Sequence, residues 1–339
     1  MRKPTLKDVA EAAGVHSATV SRALDPGKRH EVHPDTARRV LKAAESLGYR
    51  PNPIARSLKT ARSNTVGLLV PDLCNPLFPP IVRGADEVLF DRGYSALIAS
   101  TDNDAAREQR LVDSLVGRQV DGLIVATAQR EHPLLSRLYD EQVKMVLINR
   151  RVENLDVPAI IPDDAAGIGL AVAHLAGLGH VRIAHLAGPQ DTSTGVARAR
   201  AFRHAVRDAG LDDDPALVVE CEYFQEASGA KALRELLDQR VPFTAVVAGN
   251  DLLAMGCYDV FAERDVDCPG EISVVGFNDI PFLDKLRPPM TTVRIPHRDL
   301  GAEAARMLLG CIDEPARRAG SVLLPVELVV RGSTAPVPD

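Results

Sequence analysis

The chain has 339 residues, with 40 Lys+Arg against 46 Asp+Glu and a 45% hydrophobic share. That length provides for two or three folded units, and the hydrophobic share excludes a chain that is disordered throughout. No apolar run approaches the ~18–20 residues of a membrane helix, and the start, Met1-Arg2-Lys3-Pro4-Thr5-Leu6-Lys7-Asp8, lacks the apolar core of a signal peptide, so a cytoplasmic protein without a membrane partner is expected.

The net charge of −6 hides an asymmetry. Residues 1–62 hold 13 Lys+Arg and 6 Asp+Glu, a charge of +7, which leaves −13 on the rest. A basic head on an acidic body points to a polyanion-binding module joined to something else, although a solvated helical surface would carry the same charge. The five cysteines (Cys74, Cys221, Cys257, Cys268 and Cys311) are scattered, with no C-x-x-C pair and no Cys/His cluster. Neither a disulfide framework nor a metal nor a cofactor is expected, and a reducing compartment fits.

In the head, Leu6, Val9, Ala10 and Ala13 share one face at helical spacing. Thr5 suits the N-cap, Asp8 completes a capping box, and Gly14 supplies the positive φ that ends the helix. Val15 can plug the junction to a second helix at about Ser17–Leu24, with Val20, Ala23 and Leu24 inward. Its outward Ser17, Ala18, Ser21 and Arg22 are small or hydrogen-bonding, as a helix in a major groove requires. A third helix runs from Pro34 to Leu47 with Val40, Leu41, Ala44 and Leu47 as its core stripe, and Gly48 ends it. Two short helices around a Gly turn, backed by a third, read as a helix-turn-helix.

The run Thr5-Leu-Lys-Asp-Val-Ala-Glu-Ala-Ala-Gly-Val-His-Ser-Ala-Thr-Val-Ser-Arg-Ala-Leu24, followed by Leu47-Gly-Tyr-Arg-Pro-Asn-Pro-Ile-Ala-Arg-Ser-Leu58, resembles the head of the lactose-repressor (LacI/GalR) family. The resemblance implies that Ser17, Ala18 and Arg22 read operator bases, while Thr5, Lys7, Thr19, Ser21 and Arg29 contact phosphates. Thr19 equally fits the buried side of its helix. His16 and His33 stand where the family usually has Ser or Thr, and where Ser is commoner, respectively. That leaves open whether His16 caps its helix, reaches DNA or is a surface residue.

Arg50-Pro51-Asn52-Pro53 has linker character, yet Asn52 can cap and Pro53 can start a short helix to Lys59. So short a helix is unstable alone in water. The resemblance implies that this hinge (Asn52, Ala55, Leu58 and Lys59) orders in the minor groove, with Leu58 wedged into a base step. On the residues alone, the preferred reading of Leu58 is a linker side chain packed on the body.

From Thr65 onward, apolar runs (66–70, 96–99, 122–126, 145–148, 183–186, 245–248 and 272–276) alternate with helical stretches (81–92, 105–118, 165–178, 198–209, 229–239, 252–264 and 298–311). That alternation argues for parallel sheets covered on both faces, in two doubly wound lobes with a ligand cleft beyond the strand ends. Polar and aromatic residues cluster there: Asp72 to Phe78, Asn149, Arg150, Asp163, Thr192 to Arg198, Asn250-Asp251 and Phe277-Asn278-Asp279.

The runs 120–124, 178–180, 187–189, 249–251 and 273–279 are similar to the periplasmic-binding-protein-like sensor of the same family. The expected fold is therefore an all-α helix-turn-helix head (1–49), a hinge (50–63), a two-lobed α/β body (64–333) and a tail (334–339). Lobe 1 would hold about 64–162 and 292–322, and lobe 2 about 163–291 and 323–333. The resemblance implies that Arg198, Asn250 and Asn278 hydrogen-bond an effector whose apolar face is covered by Phe78 and Phe224, with Asp72, Leu77, Asn149, Arg150 and Thr194 completing the site. Asn278 stands where most members have Asp, and Leu77 where some have an aromatic. Local pattern leaves alternatives: Asn250 as a helix cap, Arg198 as a surface charge and Asp72 as a turn residue.

Rival functions fare worse. Gly167-Ile-Gly169 lacks the third glycine of a dinucleotide fingerprint and follows Asp163-Asp164; neither G-x-x-x-x-G-K-[ST] nor Gly-x-Ser-x-Gly occurs. A transporter's solute-binding protein would have no use for a basic helix-turn-helix, and an architectural DNA-binding protein would have none for a cleft. The reading is thus not an enzyme but a repressor at the nucleoid. It acts as a homodimer or tetramer on a pseudo-palindromic double-stranded operator, under control of a small-molecule effector, foremost a sugar or sugar derivative, with nucleosides left open by Asn278.

Overall fold

The computed structural model describes residues 4–25, 27–49, 62–314 and 320–337. The chain divides into two units, Met1–Ser63 and Asn64–Asp339. The hinge residues Asn52, Ala55, Leu58 and Lys59 lie outside the described residues.

The head comprises α1 (Leu6–Ala13), α2 (Ser17–Leu24) and α3 (Pro34–Ser46). Thr5 and Asp8 form the capping box, with the Thr5 amide donating to Asp8 Oδ2 at 2.7 Å, and Gly14 closes α1 at φ 62°. The core is small-sided: Val9, Ala10, Ala13, Val20, Ala23, Val32, Ala37, Val40, Ala43 and Ala44 are buried, with Val15, Leu24 and Tyr49 packed against them. Alanines let three short helices approach closely. The α3 stripe differs from expectation: Ala37 and Ala43 are buried, whereas Leu41 is half-buried and Leu47 is 40% exposed. Leu47 is the C-cap, so the helical period that would turn it inward has already ended.

The body contains β1 (Thr65–Val70), α4 (Phe78–Asp91), β2 (Ser95–Ser100), α5 (Ala105–Gly117), β3 (Gly122–Val125), α6 (Pro133–Asp140), β4 (Met145–Ile148), β5 (Ala159–Pro162), α7 (Asp164–Gly177), β6 (Ile183–Ala187), α8 (Ser193–Asp208), β7 (Val218–Glu220), α9 (Glu226–Asp238), β8 (Ala245–Ala248), α10 (Asp251–Arg264), β9 (Ser273–Asn278), β10 (Thr291–Arg294), α11 (His297–Asp313), β11 (Val322–Leu324) and β12 (Glu327–Val329). Two six-stranded sheets result, in the orders β11-β5-β4-β3-β1-β2 and β12-β10-β9-β8-β6-β7. Among the described residues, every pairing is parallel except β10 with β12. Each sheet reverses its winding at its first strand: β1 lies between β2 and β3, and β6 between β7 and β8. Loops at such a reversal diverge and leave a crevice beyond the carboxyl ends.

The approximate lobe limits need two corrections. Thr291–Arg294 pairs with β9 in the second sheet, so the chain leaves lobe 2 at 295–296, and α11 then packs on β3, β4 and β5. Val322–Leu324 pairs with β5 in the first sheet, so the last crossing falls at 325–326. The tail also joins lobe 2 beyond residue 333, because the Val274 and Val337 amides donate to Ser333 O and Leu178 O and a ring nitrogen of His180 meets Ala335 O at 3.0 Å. The short strands β5, β7, β10, β11 and β12 and the helix α6 lack a periodic signal of their own. Their places come from neighbours.

Candidate functional site

In the head, α2 presents one polar face. Ala18, Ser21 and Arg22 are exposed, and Ser17 and Thr19 are half-buried. His16 settles the cap question: its Nδ1 accepts from the Ala18 amide at 3.2 Å, doing the work of the usual hydroxyl. With Nδ1 accepting, the proton of the neutral ring sits on Nε2, a donor. His33 repeats the device at the start of α3, accepting from the Asp35 amide at 3.4 Å. Arg29 is tied to the head itself, its Nε donating to Ala23 O at 3.1 Å. Thr5 is exposed but its hydroxyl serves the capping box, and Lys7 is exposed.

In the body, a cleft of about 370 Å³ opens beyond the carboxyl ends of both sheets. All ten expected effector residues line it: Asp72, Leu77, Phe78, Asn149, Arg150, Thr194, Arg198, Phe224, Asn250 and Asn278. Lobe 1 supplies the first five, from the turns after β1 and β4 and the start of α4. The rest come from α8, the turn after β7, and the ends of β8 and β9.

Arg198 is no surface charge. It is 2% exposed, because α8 begins five residues earlier than its apolar stretch suggests and so places Thr194 and Arg198 on one face at i, i+4 spacing. Its Nε donates to Asp164 Oδ1 at 2.8 Å, its Nη1 donates to Gly249 O at 2.7 Å, and its guanidinium lies 3.7 Å above the Phe277 ring. Burial pushes the Asp164 carboxyl up and the Arg198 charge opposes that shift. Gly167 makes room for the same ring, since a Cβ there would stand 2.6 Å from it. Both glycines lie inside α7, where Gly167 serves the packing of that helix, and neither stands in a phosphate loop.

Asn250 does cap α10, its Oδ1 accepting from the Leu253 amide at 2.9 Å, and it lines the cleft as well. Asp72 makes a turn, accepting from the Cys74 amide at 2.7 Å. Next to Asn250, Asp251 is buried among Thr292 Oγ1 and the Ile280 amide; burial pushes its pKa up to about 6 against those two hydrogen bonds. Phe224 reaches the cleft across Gly188, where a Cβ would meet its ring at 2.2 Å.

Three buried polar atoms of the cleft residues have no partner among the described residues: Asn149 Oδ1, Arg150 Nε and Asn278 Oδ1. Burial draws the Arg150 pKa down to about 10, with Asp191 the first charge opposing the shift. Asn149 and Asn278 both have positive φ, 64° and 125°. The second lies outside the ordinary left-handed well, a conformation a non-glycine residue keeps only where its surroundings impose it. Leaving buried polar groups unpaired costs about 1–3 kcal/mol each, so the cleft is built for something that supplies donors to the amide oxygens and an acceptor to the guanidinium. Sequence reasoning missed Asp164, whose only signal was an acid in the first turn of a helix, and the lining residues Gln129 and Tyr223, which carried none.

A family model described as "Bacterial regulatory proteins, lacI family" matches residues 5–52, and one described as "Periplasmic binding protein-like domain" matches residues 172–334. The chain is 33% identical over 335 residues to the HTH-type transcriptional repressor CytR of Escherichia coli (strain K12), covering 98% of this chain and 97% of the relative. Among solved structures, the transcriptional regulator CelR–cellobiose complex matches at 34% identity and TM-score 0.76, covering 97% of this chain and 99% of that one. The Lac repressor dimer bound to operator and the anti-inducer ONPF matches at 27% identity and TM-score 0.86, covering 98% and 100%. Head, body and cleft therefore agree with full-length similarity, and the chain belongs to the LacI family of bacterial regulatory proteins.

Proposed function

We propose that the protein is a transcriptional repressor, not an enzyme, that acts in the cytoplasm on double-stranded operator DNA and whose DNA affinity is set by a sugar or sugar derivative bound between its lobes. The observation that carries the effector half is the set of unpartnered buried atoms in the cleft, Asn149 Oδ1, Arg150 Nε and Asn278 Oδ1. A hydroxyl both donates and accepts, so a polyol satisfies all three, with Phe78 and Phe224 against its carbon face. CelR is described in complex with cellobiose, in agreement with this ligand class.

The reading face of α2 carries the DNA half. Ser17, Ala18 and Arg22 contact base edges; Thr5, Lys7, His16, Thr19, Ser21 and Arg29 contact phosphates; Asn52, Ala55, Leu58 and Lys59 contact the minor groove. A pseudo-palindromic operator needs two heads, hence a homodimer. The edge strand β2 leaves Leu97 and Ile98 exposed, and Phe90, on the helix packed against that strand, is 76% exposed, which suits a second copy. The effector acts by favouring one arrangement of the lobes, and its influence on DNA is bounded by its differential affinity for the two arrangements.

The test is a thermal-shift screen of the full chain against monosaccharides, disaccharides and nucleosides. At a hundred times its Kd, a ligand raises stability by about 2.7 kcal/mol. The expected result is a shift with a sugar that disappears in Asn149→Ala and Asn278→Ala. A shift confined to nucleosides, or one that both variants retain, would replace the ligand class or the site.

A further inference from the structure

Among the described residues, four hydrogen bonds cross directly from one lobe to the other at the rim of the cleft. The Arg130 amide donates to Asp191 O at 2.8 Å, and Arg130 Nη1 donates to Gln190 O at 3.1 Å. Gln129 Nε2 donates to Asp191 Oδ2 at 3.2 Å, and the Arg151 amide donates to Ser193 Oγ at 2.8 Å. The donors stand on the loops after β3 and β4 in lobe 1; the acceptors stand on the turn between β6 and α8 and on Ser193, the first residue of α8, in lobe 2. Arg130 contributes twice and is itself held from behind. Its Nε and Nη2 donate to the two carboxylate oxygens of Glu153 at 2.7 and 3.1 Å, while the Glu153 amide donates to Arg130 O at 2.7 Å. Both charges are on lobe 1, so the pair aims the guanidinium at lobe 2.

The anchored turn leads straight into α8, which carries Thr194 and Arg198. The bond from the Arg151 amide starts one residue after Arg150 and two after Asn149. Docking 190–193 onto lobe 1 therefore sets how far the lobe 2 side of the site stands from the lobe 1 side. Arg130 is not among the residues lining the cleft.

We propose that Arg130 is a positioning residue: backed by Glu153, it clasps the 190–193 turn and so registers the two halves of the cleft against each other. The clasp is a device for reversible closure. Arg130 and Glu153 side chains are 36% and 48% exposed, and ion pairs so open to water are weak enough to break and re-form. The proposal takes the cleft as the ligand site, in keeping with the function proposed above, but its test needs no effector.

Amide hydrogen exchange on the full chain, without ligand, reads the clasp directly through the amides of residues 130 and 151, which donate across the lobes. In Arg130→Ala, exchange at both is expected to rise about tenfold or more, while Leu69 in β1 and Val275 in β9 keep wild-type protection. Glu153→Gln, which leaves the lobe 2 acceptors intact but removes the charge that aims Arg130, is expected to give a smaller rise at the same two amides. Loosening at residue 130 alone would reduce Arg130 to a fastening of its own loop. Equal loosening of β1 and β9 would make it a support of the fold. Either result overturns the proposal, and neither bears on whether a sugar binds the cleft.

Discussion

The polar face of α2 and the interlobe cleft are recognition surfaces built in opposite ways. On α2 the operative side chains, Ser17, Ala18, Ser21 and Arg22, come from six consecutive residues, while Val20, Ala23 and Leu24 hold that helix to the core. In the cleft they come from six separated stretches of chain, and several also hold the body together. Arg198 neutralises a buried carboxylate, Asn250 caps α10 and Asp72 makes a turn. One helix laid on a groove leaves function and stability separable. A cavity assembled from strand ends fuses them, because the groups that face the ligand are the ones that terminate strands and start helices.

Arg198→Ala tests that contrast at its strongest. It removes a buried cation and strands Asp164, which should destabilise the body by about 3–5 kcal/mol. Thermal unfolding would show it, and Arg198→Lys should recover little, since an ammonium cannot serve Asp164, Gly249 O and the Phe277 face together. An Arg198→Ala body of wild-type stability would break the comparison.

Acid sharpens it. Burial holds the His185 pKa down to about 4, against the hydrogen bond its Nδ1 makes to the Val247 carbonyl, which opposes the shift. The unfolded chain therefore takes up a proton below about pH 6.5 that the folded one refuses, and about 2 kcal/mol of stability is lost by pH 5. His174, His180 and His297, also pulled down by burial, add in the same direction. Asp251, at about 6, has the reverse sign: the folded state holds its proton first, so stability is regained as pH falls from about 6 towards 4. Chemical denaturation at pH 7 and pH 5 should find Asp251→Asn more acid-sensitive than wild type and His185→Gln less so. Variants that both parallel the wild type would remove these two groups from the account.

The smallest effect on folding belongs to the head. Arg22→Ala should leave stability within about 0.5 kcal/mol, yet lose about 1–3 kcal/mol of discrimination at one base pair. Binding to a panel of single-site operator variants measures this; a uniform loss across the panel would make Arg22 a phosphate contact instead.

The head was legible almost to the residue because its signals are local: a capping box, a Gly14 stop, a proline at the first position of α3. Where expectation slipped, at Leu47, the helix had ended one residue sooner. His16 is subtler. Its ring can mimic a serine cap, but only the backbone dihedrals of this turn bring Nδ1 to the Ala18 amide. In the body, long apolar strands and amphipathic helices were legible, while three-residue strands such as β7 and β11 were not, since so short a segment has no period.

The sequence by itself determined two things here: a basic helical head whose reading face is written in consecutive residues, and an acidic body of alternating strands and helices. Those are properties of neighbours along the chain, set by spacing, caps and turns. The tertiary structure decided what side chains far apart in sequence do to one another. It made Arg198 a buried partner of Asp164 instead of a surface charge, left Asn149, Arg150 and Asn278 with unmet hydrogen bonds facing one cleft, and brought Arg130 to a turn sixty residues away. Burial and long-range pairing depend on which sheets close over which residues, and no local pattern encodes that.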